Sequence, residues 1–460
     1  MGCGLSARIF PTSVAPYSKG ARVIDGHTWR NTGQMTPAIA EIAGENARPY
    51  ASLRFPPRDG ASPAYAGDTY GDGVTYDWDW YFRSWTFYPF SWAEDDLLAL
   101  LASFFVEAGF VTQFQIPMAT LNTLMARVRG VMRAQPYHNF QHVCDVTQAV
   151  FIFVQAPTAI AHLPPIHRFA VLLAALMHDL DHPGFTNLFL KHSGSELTQK
   201  YGPDGTLEKH HAALALAMLD APETDVLVHC TPAERAEVRR LLEKCVLATD
   251  MSRHKTIIDD VAKLMPKHFE AAVQHTRVER MTSLQPLRAR LPAAPVHNAR
   301  GAKGAGGLPE RTSHDDEARA RHLFDRRRES IDRLVKSGQT EAILLLFIKA
   351  ADLSNVSRPA HANERWVSKI YAEFHRQGRA EAERAFPPSP GMAESDSVAK
   401  GQIFFGGVIC RPLFVMLAGV VPEAVPFLDQ LDLNLERWKA AAALEDADAA
   451  ARAGAAAEPT

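Results

Sequence analysis

Cysteine is scarce in this chain: five in 460 residues, at positions 3, 144, 230, 245 and 410, with no CxxC pair. That excludes a disulfide framework or a cysteine-built zinc module and points to a reducing compartment. Long stretches of β-branched alternation are missing, so an all-α fold is expected. No unbroken apolar run approaches the roughly 18 residues of a membrane span. The first residues lack an apolar h-region, so no secretory leader is expected. Nor does charge favour one sign: 49 Lys and Arg against 52 Asp and Glu leave a formal −3. Nothing electrostatic therefore calls for a nucleic-acid partner.

What is present is an ordinary globular composition, 47% hydrophobic and 22% charged. It suits two or three average domains, or one large domain with tails. Met1-Gly2-Cys3-Gly4-Leu5-Ser6 fits the N-myristoylation pattern, with Gly2 exposed once Met1 is removed, and Cys3 offers a thiol for palmitoylation. One acyl chain holds a membrane marginally and two hold it stably. The expectation is a tether to the cytoplasmic face of a membrane; the alternative is a chance match in a cytosolic chain.

Residues 1–75 mix Pro, Gly, Ser, Tyr and Arg without periodicity and read as acylation signal plus irregular cover. Helical patterning occupies 76–440. Helices are expected near 97–105, 121–132, 142–155, 167–182, 208–219, 232–247, 255–274, 340–351, 362–377, 398–417 and 424–442. Within this domain the segment about 275–331 carries Pro286, Pro292, Pro295, a Gly-rich run and Arg326-Arg327-Arg328, the composition of an inserted loop. It is either solvated or in contact with acidic lipid or a partner. The Ala-rich tail, 441–460, is expected to fray.

The chemistry gathers at His178-Asp179-Leu180-Asp181-His182, where the apolar run Phe169–Met177 meets a cluster of ionisable side chains before Pro183-Gly184. Buried acids and imidazoles need neutralising, and a divalent cation takes N and O ligands of these kinds. The alternative is a helix end whose polar residues face solvent. Upstream, His138 and His142 stand four apart and would share a helical face. Downstream, Asp352 closes an apolar helix at Lys349-Ala350-Ala351-Asp352-Leu353-Ser354-Asn355. Together His142, His178, Asp179 and Asp352 could hold one metal.

Five motifs, in order, carry a resemblance: YHNxxHxxDV from Tyr137, HDxDHPGxxN from His178, LExHH from Leu207, ATDMSxH from Ala248 and ADLSN from Ala351. With Phe114-Gln115-Ile116-Pro117 ahead of them, the stretch from about Tyr76 to Trp438 resembles the class I 3′,5′-cyclic nucleotide phosphodiesterase catalytic domain. The resemblance implies a compact HD-type fold of about sixteen helices with a two-metal site. It implies Zn2+ on His142, His178, Asp179 and Asp352, and Mg2+ or Mn2+ sharing Asp179. His182, Glu208 and Thr249 would hold the waters of that second ion. His138 would protonate the ribose 3′ oxygen, oriented by Glu373. Gln402 would bond the purine edge, Phe405 and Ile370 would stack on the ring, and Tyr137, Asn355 and Trp366 would line the pocket. A primary amide can present donor or acceptor, so cAMP and cGMP both fit Gln402, with a lean to cAMP from Asn355. Phe404 and Arg411 depart from the pattern without removing a catalytic group. Two alternatives stand beside cyclic nucleotide hydrolysis: another HD-type metal phosphohydrolase, and a non-catalytic nucleotide-binding or scaffold protein.

Overall fold

The computed structural model describes residues 85–265, 273 and 339–457. Gly2, Cys3 and the 275–331 segment lie outside the described residues. The chain enters through α1 (Glu94–Glu107), α2 (Phe110–Gln113) and α3 (Met118–Val131), then runs through α4 (Phe140–Gln155), α5 (Pro157–His162) and α6 (Pro165–Met177). Short helices α7 (Asn187–His192) and α8 (Glu196–Tyr201) lead to α9 (Thr206–Asp220), α10 (Pro232–Ala248) and α11 (His254–Leu264). The remainder is α12 (Thr340–Asp352), α13 (Ala360–Glu383), α14 (Val398–Phe404), α15 (Arg411–Val420) and α16 (Val425–Ala457). Every regular element among the described residues is helical, as the composition predicts.

The hub is α6. Pro165 opens it, where a missing N–H costs nothing, and every residue from Arg168 to Met177 is buried. A helix that is apolar all round has to be covered all round. Helices α4, α10 and α12 do this. Their ends are specified locally. Asn139 caps α4, its side chain accepting from the backbone N–H groups of Gln141 and His142. Thr231 and Glu234 form a reciprocal capping box on α10. Helices α4, α6 and α12 deliver His142, His178 and Asp352 to one end of the core.

Four expectations need correcting. Helix α6 stops at Met177, not near residue 182, and His178 is its C-cap. Asp181 takes φ +61, which no α-helix can contain. Helix α4 begins at Phe140, so His138 precedes it and shares no helical face with His142. The stretch 398–417 is not one regular helix, because Phe405–Cys410 forms a π-turn between α14 and α15. Pro412 has no N–H to give to the fourth residue back, so regular bonding fails there. Nearby, the Ile409 carbonyl accepts from His254 Nε2 at 3.0 Å. By mean hydropathy Val398–Val420 is also long and apolar enough to cross a membrane, although half of it is buried inside the fold. Finally, α16 continues past residue 440 to Ala457. Alanine favours helix, and Lys400 Nζ pairs with Asp446 at 2.7 Å while Ser397 bonds Glu445.

One buried ion pair ties the hub to the later helices. Arg358, fully buried after α12, reaches Asp145 of α4, with NH2 3.0 Å from Oδ1 and 2.9 Å from the Asp145 carbonyl oxygen. Breaking a buried pair from one side leaves a charge with neither water nor partner, which costs about 3–5 kcal/mol. Arg358→Ala is expected to lower the unfolding free energy by that amount, read from the denaturant midpoint at constant slope.

Candidate active site

His178, the C-cap of α6, donates from Nδ1 to the Ala175 carbonyl at 2.9 Å, which leaves its Nε2 to the neighbouring donor atoms. Four donor atoms meet there. His142 Nε2 lies 3.4 Å from His178 Nε2, 3.5 Å from Asp179 Oδ2 and 3.4 Å from Asp352 Oδ1. His178 Nε2 is 3.4 Å from Asp179 Oδ2 and 3.5 Å from Asp352 Oδ1. Donors held about 2.0–2.1 Å from one tetrahedral zinc are separated by about 3.3–3.4 Å, so the side chains fit such an ion. Electrostatics agree. Burial works against an imidazolium at His178, yet Asp179 and Asp352 hold its pKa well above the ordinary value. Burial equally works against the Asp179 anion, yet His178 holds that carboxyl well below its usual range. Two buried carboxylates demand positive charge, and a divalent cation supplies it.

A second cluster shares Asp179. His182 and His211 join it, with His211 Nε2 3.8 Å from Asp179 Oδ1. His211 donates from Nδ1 to the Leu180 carbonyl at 2.6 Å, so its Nε2 is an acceptor facing another acceptor. Burial pushes the His211 pKa down to about 4 and, with help from His138, holds that of His182 well below its ordinary value. Neutral imidazoles beside a carboxylate suit hydrogen bonds from a hydrated cation. Asp179 Oδ2 and His211 Nε2 both lack a protein hydrogen bond while buried. Such orphans call for an explanation, and ion binding is one.

Glu208 and Thr249, which the resemblance implies lie around the second ion, are both buried. Glu208, in the first turn of α9, accepts from Asn187 Nδ2 at 2.9 Å, and Asn187 Oδ1 accepts from the Leu207 N–H. Burial raises the Glu208 pKa. Thr249 caps α10, its hydroxyl donating to the Val246 carbonyl while its own carbonyl accepts from the buried Lys349 Nζ at 2.5 Å.

His138 sits beside the second cluster, its ring stacked on His182 with centroids 3.9 Å apart. Its Nδ1 lies 2.6 Å from Glu373 Oε2, and Glu373 Oε1 accepts from the backbone N–H groups of Tyr137 and His138. Glu373 comes from the buried face of α13, so a residue far along the chain fixes this ring. Burial opposes charge on His138, but Glu373, with Asp179 and Asp352 behind it, outweighs burial and raises the pKa. Glu373 itself is held low, the same neighbour overcoming burial. Such a pair can donate a proton, with a fixed carboxylate behind the ring.

Of the predicted pocket residues, Tyr137 and Trp366 lie against this centre. Tyr137 packs against His138, His142 and Trp366. Asn355 is buried, and its carbonyl accepts from Asn363 Nδ2 at 2.9 Å while Asn363 Oδ1 accepts from Trp438 Nε1 at 3.0 Å. Gln402 is buried and hydrogen-bonds Tyr371. A Cβ at Gly401 would strike the Tyr371 hydroxyl, so a larger residue there would displace that side chain. Ile370 and Phe405 are half-buried, Phe405 packing on the main core. Phe404, one departure from the pattern, is 60% exposed, and its bulk faces away from the core. Arg411, the other, pairs with Asp432 at 2.8 Å and pins α15 to α16.

Arg133, Asp181, Asn187, His210 and His211 were not among the predicted site residues. Their signal was available: four of them belong to the quoted HDxDHPGxxN and LExHH motifs. Burial and convergence single them out only in three dimensions.

A family model described as 3′5′-cyclic nucleotide phosphodiesterase matches residues 137–431. Similar curated proteins include a Drosophila melanogaster high affinity cGMP-specific 3′,5′-cyclic phosphodiesterase 9A. It is 26% identical over 339 residues, 73% of this chain and 18% of the relative. The Dictyostelium discoideum 3′,5′-cyclic-nucleotide phosphodiesterase regA is 28% identical over 78% of this chain and 38% of its own length. A Mus musculus 3′,5′-cyclic-AMP phosphodiesterase 4C is 28% identical over 75% of this chain and 42% of its own. The chain thus spans less than half the length of these relatives. Among solved structures, the phosphodiesterase domain of the Salpingoeca rosetta RhoPDE fusion protein aligns with TM-score 0.60 and 26% identity. That alignment covers 78% of this chain and 95% of that one.

Proposed function

Because the chain belongs to the 3′,5′-cyclic nucleotide phosphodiesterase family, we propose that it hydrolyses cAMP, cGMP or both to the nucleoside 5′-monophosphate. The observation that carries this is the approach of the His142, His178, Asp179 and Asp352 donor atoms, with the His138 ring 5.7 Å from that of His142 and paired with Glu373. Zn2+ would be held by the first four, and Mg2+ or Mn2+ by Asp179, with His182, Glu208 and Thr249 around its waters. Bound divalent cations neutralise phosphate charge and make water acidic enough to serve as a nucleophile near neutral pH. The water loses a proton to solvent as its oxygen forms the new bond to phosphorus, and the bond from phosphorus to the 3′ oxygen breaks. That oxygen leaves as an alcohol if it gains a proton. His138 delivers the proton while Glu373 fixes the ring. Gln402 holds the purine edge between Ile370 and Phe405, with Tyr137, Asn355 and Trp366 lining the pocket.

Initial rates on cAMP and on cGMP, with and without a chelator, test this. Hydrolysis of at least one, abolished by chelation and restored by Zn2+ with Mg2+, is expected. Turnover of neither by a metal-loaded protein would rule the activity out.

Location is a separate proposal. Acylation at Gly2, reinforced at Cys3, would tether the enzyme to the cytoplasmic face of a membrane, where it would end cyclic nucleotide signals. Gly2→Ala is expected to abolish myristate labelling and move the protein from the membrane fraction to the soluble one. Absence of label on the parent chain would exclude the tether.

A further inference from the structure

The turn between α6 and α7 carries two candidate metal-site residues, Asp179 and His182, and between them lies a strained position. Asp181 holds φ +61 without being glycine. A backbone of this kind persists only where its surroundings over-determine it. Here they do so through the Asp181 carboxylate. Arg133 Nε donates to Oδ1 at 2.6 Å and Arg133 NH2 to Oδ2 at 3.0 Å, a two-pronged grip from just beyond α3. His210 Nε2 reaches Oδ2 at 2.9 Å from α9. The flanking backbone is held as well: His211 Nδ1 donates to the Leu180 carbonyl at 2.6 Å and Arg376 NH2 to the Gly184 carbonyl at 2.8 Å. One carboxylate thus joins the segment leading to His138, the turn bearing Asp179 and His182, and the helix bearing Glu208.

We propose that Asp181 and Arg133 are positioning residues for the metal site. Clamped by Arg133 and His210, Asp181 fixes the turn so that Asp179 faces both clusters. Neither residue belongs to a cluster of possible ligands, so their effect passes through Asp179 and His182. The inference rests on the two-metal reading above. Arg133 is 46% and Asp181 29% exposed, and a partly solvated ion pair adds little to global stability. A purely structural role would therefore change the melting temperature slightly and metal affinity not at all. A positioning role does the reverse.

The test compares the parent chain with Asp181→Asn, Arg133→Gln, the double variant and Arg133→Lys. Zn2+ and Mg2+ affinities are measured by competition with a chromogenic chelator, alongside kcat and KM at saturating metal. Asp181→Asn and Arg133→Gln are each expected to weaken binding of at least one cation by about 10–100-fold, as loss of a ligand-orienting contact does. The double variant should be no worse than the more severe single one, because both cut the same contact. Arg133→Lys should recover part of the loss, and KM at saturating metal should stay within about threefold of the parent. Cation affinities matching the parent in both single variants would overturn the proposal. If Asp181→Asn fails to fold, the half-exposed Arg133→Gln decides alone. A parent chain that binds no divalent cation would sink the two-metal reading itself, a distinguishable result.

Discussion

Asp352→Ala is expected to lower kcat/KM by more than about 10³-fold, or about 4 kcal/mol of transition-state stabilisation, and to lose the tightly held metal. Three facts set this size. Asp352 Oδ1 is within 3.4–3.5 Å of both imidazole nitrogens, so it is central to the four-donor set. His142, His178 and Asp179 are buried, and a cation and phosphate there would interact without much screening by water. Asp352 also reaches the site from α12, whereas His178 and Asp179 come from the end of α6, so no neighbouring residue on its own element can replace it. Zinc analysis of the purified variant gives the check, together with a melting experiment. Added Zn2+ should raise the melting temperature of the parent, since a ligand that binds only the native state stabilises it. The variant should show no such rise. Retention of one equivalent of zinc with normal turnover would remove Asp352 from the site.

His138→Ala is the second large effect, with the opposite metal outcome. Loss of a positioned general acid costs about 10²–10⁴-fold in kcat, while zinc content should match the parent because His138 is outside the four-donor set. The pH dependence carries a further check. His138 works as the proton donor, so the active form is the imidazolium, and the rate falls as pH rises through its pKa. The Glu373 carboxylate raises that pKa against burial, extending activity toward alkaline pH. Glu373→Gln removes the charge and keeps the shape. Its alkaline limb should move to lower pH, with kcat reduced less than in His138→Ala. An alkaline limb unchanged in Glu373→Gln would detach this carboxylate from the proton donor.

The motifs held much of the site because metal and phosphate chemistry restricts residue type. Few side chains other than His and Asp could serve at 142, 178, 179 and 352, so their identity alone is informative. The same holds for the all-α class, since helical periodicity and the lack of strand alternation are properties of the chain itself. Other features had no such local signature. Glu373 appears in sequence as one acid among many on a charged helix. The family resemblance alone points to it, and the burial of that face of α13, with its approach to Tyr137 and His138 from more than two hundred residues away, gives the physical reason. Similarly, an apolar run followed by HDLDH predicts a helix continuing to Pro183. The early stop at Met177 is followed by a turn in which Arg133 and His210 hold Asp181, contacts that do not exist until α3 and α9 are packed.

Residue chemistry, then, was written along the chain: which side chains can bind a cation, move a proton or bury an apolar face. Tertiary structure decided which of them meet, at what spacing and in which protonation state. Distances near 3.4 Å among atoms on three helices, and pKa values set by burial against a neighbour's charge, are properties of the assembled core. No segment has them before it is packed, because each arises from groups that the chain brings together only on folding.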